Sequence, residues 1–169
     1  AVGGLALDAN TTASNNTAIG YQAATANTTG TNNTALGYIS LLANTTGNQN
    51  TALGRGTLAS NTTADNNTGV GYNTLNQNTT GQENTAVGSN ALDANTVGEY
   101  NVAVGRNSLG ANVDGSRSTA VGYAALAAQD PSSAANVNNV AVGFHALNAT
   151  TTGVENTSLG SESLEANTT

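Results

Sequence analysis

The stretch Asn84-Thr-Ala-Val-Gly-Ser-Asn-Ala-Leu-Asp-Ala-Asn-Thr96 decides the fold, because close copies of it follow one another along the whole chain. A fixed period near twenty residues is typical of a solenoid, in which each repeat packs mainly on its neighbours. We therefore expect one repeat array over residues 1–169, stacked as ten coils. The repeat glycine returns every seventeen residues, with one interval of twenty-one: Gly3, Gly20, Gly37, Gly54, Gly71, Gly88, Gly105, Gly122, Gly143 and Gly160.

The apolar positions of the repeat predict short strands. We number each repeat from its glycine, as position 0. Position −1 is always Val, Ile or Leu, position +4 is leucine in nine of ten repeats, and position +6 is alanine in eight. Side chains alternate along a strand, so positions −3 and −1 share one face. We expect that face, and positions +4 and +6 of a second strand, to line a common interior.

The fold class follows from what the repeat lacks as well as from what it contains. No 3.6-residue apolar stripe is sustained, and Asn, Thr and Gly are poor residues for a helix interior. The Asn-Thr-Thr-Gly segment supplies turns, with glycine available for positive φ. We expect an all-β, two-sided parallel β-roll, or β-solenoid, with a rod length of roughly 48 Å. Asparagines stacked in columns would satisfy one another's amides.

Composition excludes several functional classes. Three arginines and no lysine stand against ten acidic residues, which gives a net charge of −7 and argues against nucleic acid as a partner. No apolar run reaches the roughly 20 residues that cross a bilayer, so we expect no membrane insertion in this segment. Cysteine is absent, which removes thiolate metal sites and disulfides, and we expect no cofactor and no metal. Both ends fall in mid-repeat, so we expect a window from a longer array.

The core predicted for each coil is thin. One branched residue and one leucine would be buried per coil, against the conformational entropy of ordering seventeen residues. Lateral association through alanine-rich faces would bury more apolar surface. We therefore expect self-association, as a homotrimer or a fibre, and keep a lone solenoid as the alternative.

The phrases Ser118-Thr-Ala-Val-Gly-Tyr-Ala-Ala-Leu-Ala-Ala128 and Asn101-Val-Ala-Val-Gly-Arg-Asn-Ser-Leu-Gly-Ala111 resemble the head repeats of trimeric autotransporter adhesins, the YadA-like group. Similar phrases occur in phage tail fibres and other repetitive surface proteins. The resemblance extends over the whole chain, once per repeat. It implies a left-handed parallel β-roll, a homotrimer, and display outside the cell, on a cell surface or a virion.

Glycosylation is one candidate function of the turns. Asn-x-Ser/Thr sequons recur at position +7, so sugars attached there would form a row along one edge. The alternative is that Asn-Thr is simply good turn chemistry. The candidate acceptor residues are Asn10, Asn27, Asn44, Asn61, Asn78, Asn148, Asn156 and Asn167.

Aromatic residues recur at position +1 and form the second candidate. Coil stacking would align them as a ridge that binds a glycan or a host surface, or that packs as a structural ladder. These candidate binding residues are Tyr21, Tyr38, Tyr72, Tyr123 and Phe144.

Two further features leave alternatives open. Threonine rows at positions −3 and +8 suggest ice binding as a function. Against it, the −3 row is expected to face inward, and Val113 and Asp130 interrupt the +8 row. A four-residue insertion within residues 128–139 contains the only proline, Pro131. Such an insertion forms either a binding loop or a tolerated surface loop.

Enzymatic activity finds no support in the sequence. His145 is the only histidine, and the acidic residues are dispersed among distant repeats. We expect a non-enzymatic structural and adhesive segment of an extracellular surface fibre, which displays its turns for weak multivalent contact. The alternative is a monomeric solenoid that binds glycan or ice along one flat face.

Overall fold

The computed structural model describes residues 1–131, 133 and 135–168. Nine three-residue strands form a single parallel sheet in chain order, and the described residues contain no helix. The chain is therefore an all-β solenoid of seventeen-residue coils, as the repeat predicted. The strands are β1 Thr17–Ile19, β2 Thr34–Leu36, β3 Thr51–Leu53, β4 Thr68–Val70, β5 Thr85–Val87, β6 Val102–Val104, β7 Thr119–Val121, β8 Val140–Val142 and β9 Thr157–Leu159.

The register between strands is constant. Thr17 pairs with Thr34 across β1 and β2, and equivalent residues pair at every later step. The insertion changes the sequence separation between β7 and β8 to twenty-one, but Thr119 still pairs with Val140. With about 4.8 Å between strands, the sheet from β1 to β9 is about 38 Å long.

The expectation that positions −3 and −1 line the interior is wrong. In β5 the interior residue is Ala86 at position −2, which is fully buried, whereas Thr85 and Val87 face outward. The same alternation holds in every strand, since the buried residue is always the middle one. The interior is so narrow that only a small side chain fits at position −2. Alanines and leucines make up the core.

The second predicted strand is also absent from the described residues, and the other side of each coil is built of turns. Leucines at position +4 are buried in the inner coils, as expected, whereas Leu164 in the last coil is exposed. They adopt left-handed backbone conformations, for example Leu92 with φ 50°. Position +2 is left-handed too, as at Asn90 with φ 56°. Such conformations are costly for residues other than glycine, and burial of the leucine offsets that cost. The roll therefore has one sheet rather than two.

Two glycine columns allow the coils to approach closely. Gly88 at position 0 has φ +134°, and a Cβ there would lie 2.6 Å from the carbonyl oxygen of Gly105. Gly98, the turn glycine at position +10 of its repeat, lacks the positive φ that its turn sequence predicts. It is required for space instead, because a Cβ would lie 2.4 Å from both Asn95 Oδ1 and the carbonyl oxygen of Gly115.

Candidate functional site

Asparagines at position +7 form a buried column that satisfies itself. Asn61 donates from Nδ2 to Asn44 Oδ1 at 2.9 Å and to the carbonyl oxygen of Ala64 at 3.1 Å. Its own Oδ1 accepts from Asn78 Nδ2 at 3.0 Å. The same pattern repeats from coil to coil, so the predicted amide ladder is confirmed.

This column changes the interpretation of the sequons. Asn27, Asn44, Asn61 and Asn78 are fully buried, and their Nδ2 atoms, to which an N-linked sugar would be attached, already donate inside the coil. The expected row of surface acceptors at these four positions is therefore wrong, because the side chains point inward.

The remaining sequon asparagines are half-buried: Asn10, Asn148, Asn156 and Asn167. Nδ2 of Asn10 donates to the carbonyl oxygen of Ala13, and Nδ2 of Asn148 to that of Ala124. Glycosylation at these four residues stays a prediction.

A second asparagine column lies at position −4, where the repeat was not expected to place buried amides. Asn50 donates from Nδ2 to the carbonyl oxygen of Ala64 at 2.8 Å, and its Oδ1 accepts from the backbone N–H of Asn67 at 3.0 Å. The signal was present, since position −4 is asparagine in eight of nine repeats. A polar residue that recurs so strictly beside a strand indicates a buried hydrogen-bonding role.

The residues at position +1 form an exposed ridge, as the repeat predicted. The rings of Tyr21 and Tyr38 stack at 5.9 Å between centroids. The guanidinium of Arg55 lies 5.5 Å from the ring centroid of Tyr38 and 5.3 Å from that of Tyr72. Arg55 Nη1 also donates to the hydroxyl of Tyr72 at 3.1 Å. We call Tyr21, Tyr38, Arg55 and Tyr72 the first stack.

The ridge continues in a second stack formed by Arg106, Tyr123 and Phe144. Arg106 lies 5.5 Å from the ring centroid of Tyr123 and donates to its hydroxyl at 2.9 Å. Tyr123 and Phe144 stack at 5.3 Å, and His145, which contacts both rings, lies 3.0 Å from Glu165 Oε1. Within both stacks the aromatic faces cover one another. Ser89, which occupies position +1 between them, contributes no ring.

The outward face of the sheet forms a continuous strip of uncharged side chains. Position −3 supplies Thr in seven strands and Val in β6 and β8, and position −1 supplies Val, Ile or Leu throughout. The −3 threonines thus face outward. The expectation that they face inward, which argued against ice binding, is wrong. At position +8, Thr45 and Thr62 donate their hydroxyls to carbonyl oxygens of the next coil. We call positions −3 and −1 of β1–β9 the outer sheet face.

Ionisable residues do not converge. No group of three or more His, Asp or Glu residues within the described part of the chain could hold a metal ion. Burial raises the pKa of Asp93, a residue at position +5, and a backbone hydrogen bond partly opposes that shift. None of the described residues forms a helix of the length and apolarity that a membrane crossing requires.

The comparisons with known proteins add no relative. No protein-family model matches the chain, and neither the curated proteins nor the solved structures include a significant match.

Proposed function

We propose that this chain is a structural segment of an extracellular surface fibre, in which copies of the chain associate through the outer sheet face. The observation that carries the proposal is the exposed aliphatic column at position −1, which includes Ile19, Leu36 and Val87. At about 10 Å by 38 Å the face covers about 380 Å². The aliphatic column makes up about half of this area, and the threonines of position −3 make up most of the rest.

Charge distribution favours a second copy as the occupant. The chain has a net charge of −7, but none of the eighteen residues at positions −3 and −1 of β1–β9 is charged. Two copies therefore meet without like-charge repulsion across this face. Because identical chains have the same rise per coil, their columns stay in register along the rod. A homotrimer is the assembly that the resemblance to adhesin head repeats favours.

The adhesive part of the proposal rests on repetition. The ridge and the exposed residues of the Asn-Thr-Thr-Gly turns recur at the coil spacing, so weak individual contacts add through multivalency. Display on a cell or virion surface agrees with the absence of cysteine and with the repeat phrases quoted above.

A charge placed on the outer sheet face tests the association. Val87 lies on this face and is 37 % exposed, whereas Val97 lies in a turn at position +9 and is 39 % exposed. We expect Val87→Lys to convert the assembly to monomers in sedimentation equilibrium, because a lysine would be buried against the neighbouring chain. The matched variant Val97→Lys should keep the parent mass. A monomeric parent chain contradicts the proposal.

Ice binding along the same face is the second candidate, favoured by the outward orientation of the −3 threonines. Thr34, Thr51 and Thr68 follow one another on adjacent strands, about 4.8 Å apart. A monomeric chain that shows thermal hysteresis, and loses it in Thr51→Lys, would replace the fibre proposal with this one.

A further inference from the structure

We propose that the interruption of the ridge at Ser89 is a binding site for a single pyranose ring of a glycan, held between Tyr72 and Arg106. This inference names a ligand class for the weak contacts of the proposed fibre, and it rests on that proposal only for its biological setting. The site is the one place between the two stacks where a position +1 side chain is small.

The side chains that border this point are the last residue of the first stack, Tyr72, and the first residue of the second stack, Arg106. The Tyr72 ring meets Arg55 on the side of the first stack, so its other face is turned toward Ser89. Arg106 lies beside Tyr123 on the side of the second stack and donates to its hydroxyl, so its guanidinium borders the space beside Ser89 from the opposite side. Tyr72 and Arg106 lie two coils apart, and the half-buried Ser89 forms the floor between them. We call this space the notch.

The width of the notch favours a sugar over a flat ring. At about 4.8 Å per coil, two coil steps set the Tyr72 ring and the Arg106 guanidinium about 9.6 Å apart. The contact radii of the two groups take up about 3.5 Å, which leaves about 6 Å. A flat aromatic ring, about 3.5 Å thick, would leave a gap on one side. A pyranose chair carries axial hydrogens on both faces and is thicker, so it contacts both walls.

The chemistry of the walls also matches a sugar. The face of a tyrosine ring carries partial negative charge and attracts the polarised C–H groups of a pyranose. The guanidinium of Arg106 and the hydroxyl of Ser89 can bond sugar hydroxyls.

Within each pair of neighbouring rings on the ridge, the facing sides already cover each other. Tyr21 and Tyr38 cover each other with an interplanar angle of 12°, and Tyr123 and Phe144 do so with 14°. A sugar would have to separate these pairs before it could stack between them. The five aromatic residues of the ridge are therefore not equivalent, and Tyr72 is the one that faces the notch.

The test uses the intact chain and saturation-transfer NMR with three probes: cellotriose, chitotriose and mannotriose. We expect at least one trisaccharide to bind with a dissociation constant of about 1 mM, as suits a shallow site that stacks one ring. Ser89→Tyr fills the notch with the residue found at this position in other repeats, and should weaken binding at least about tenfold. Tyr72→Ala removes one wall and should weaken it about threefold to tenfold.

Ser161→Tyr is the matched control, because Ser161 also occupies position +1 but lies outside the notch. It should leave sugar binding unchanged, and both tyrosine variants should keep the parent Tm. The proposal is overturned if none of the trisaccharides shows saturation transfer, if phenol binds and the sugars do not, or if Ser89→Tyr binds as the parent does. The mass measurement above is independent of these outcomes, so failure here leaves the fibre proposal standing.

Discussion

The regular coils and the coil with the insertion satisfy their buried amides in different ways. In a regular coil, Asn33 and Asn44 both donate to the carbonyl oxygen of Gly47, at 2.8 and 3.0 Å. That backbone oxygen, at position +10, therefore links the two asparagine columns. The coils of Gly20, Gly54, Gly71, Gly88 and Gly105 repeat this arrangement, which agrees with the constant length of their turns. In the coil of Gly143, Thr150 replaces the asparagine at position +7, and only Asn139 donates to the carbonyl oxygen of Gly153.

The insertion removes this link, and a longer side chain replaces it. Gln129 stands at position +7 in place of asparagine and donates from Nε2 to Asn112 Oδ1 at 3.0 Å. Its Oε1 accepts from Ser118 Oγ at 3.2 Å and from Asn139 Nδ2 at 3.0 Å. The glutamine oxygen thus takes the place of the position +10 carbonyl. The difference teaches that the interior demands an acceptor at this point, but not a particular turn.

Substitutions in the glycine column at position 0 should cause the largest loss of stability. We expect the loss to be the same in a regular coil and in the coil with the insertion. A Cβ on Gly88 would lie 2.6 Å from the carbonyl oxygen of Gly105, and one on Gly122, which precedes the insertion, 2.3 Å from that of Gly143. Backbone strain and the clash together should cost Gly88→Ala and Gly122→Ala more than about 3 kcal/mol each. Thermal unfolding followed by circular dichroism should show a Tm lowered by about 10 °C.

Gly160→Ala provides the control for this prediction. Gly160 has φ +129°, but a Cβ there would meet no atom closer than Ser163 Cβ at 3.8 Å. It should therefore show the backbone strain without the clash, and a smaller fall in Tm. A tolerated Gly122→Ala would mean that the coils do not approach across the insertion as closely as they do elsewhere.

Lengthening the turn should destabilise a regular coil more than the coil with the insertion. The expected loss of stability is intermediate between the other two predicted effects. Gly-Ser-Gly inserted after Thr46 displaces the carbonyl oxygen of Gly47 and removes one acceptor each from the buried Asn33 and Asn44 amides, which should cost about 2–4 kcal/mol. The same segment inserted after the exposed Ser133 lengthens a loop beside which the buried Asn139 amide donates to Gln129 Oε1 and to the carbonyl oxygen of Gly153, and should cost below about 1 kcal/mol. Urea denaturation of both variants measures the difference, and equal losses would contradict the role assigned to Gly47.

The sequence predicted the stack but not the orientation of its strands. The glycine period indicates one coil per repeat, because a constant spacing requires identical units, and the structure confirms this. Alternation shows that positions −3 and −1 share a face, but it does not tell which face is inside. The size of the residue at position −2 was the better signal. It is alanine in nearly all strands, with Gly69 and Ser158 as the other choices, so its volume is limited.

The buried asparagines could be predicted only in part. Stacked amides were expected, but Asn-Thr-Thr reads equally well as an exposed turn, and nothing local in the sequence places Asn44 inside. Its burial depends on the carbonyl oxygen of Gly47, which the fold brings into reach. In the same way, the notch at Ser89 depends on which ring faces are covered, and that follows from side-chain conformations that the repeat does not encode.

Position +5 shows a contact that the insertion leaves intact. Asn76, in a regular coil, donates from Nδ2 to the carbonyl oxygen of Gly56 at 2.7 Å. Asn148 makes the equivalent contact across the insertion, to the carbonyl oxygen of Ala124 at 2.9 Å. Asp93 occupies the same position in another regular coil, but an ionised carboxylate cannot donate. The position therefore suits an amide on both sides of the comparison.

Asp93→Asn should give the smallest effect, a rise in Tm at pH 7 of below about 2 °C. Burial raises the pKa of Asp93 above its ordinary value of 3.8, so the folded state binds this proton more tightly than the unfolded state does. The cost of the charged carboxylate is present above the raised pKa and disappears as the pH falls through it toward 3.8. The Tm difference between variant and parent should therefore shrink from pH 7 to pH 3. Asp8→Asn, which changes an exposed acid at the same repeat position, is the control and should give a smaller change in Tm at pH 7. A difference that stays constant with pH would mean that the new amide stabilises the coil only through its hydrogen bond, and that the charge of Asp93 costs nothing.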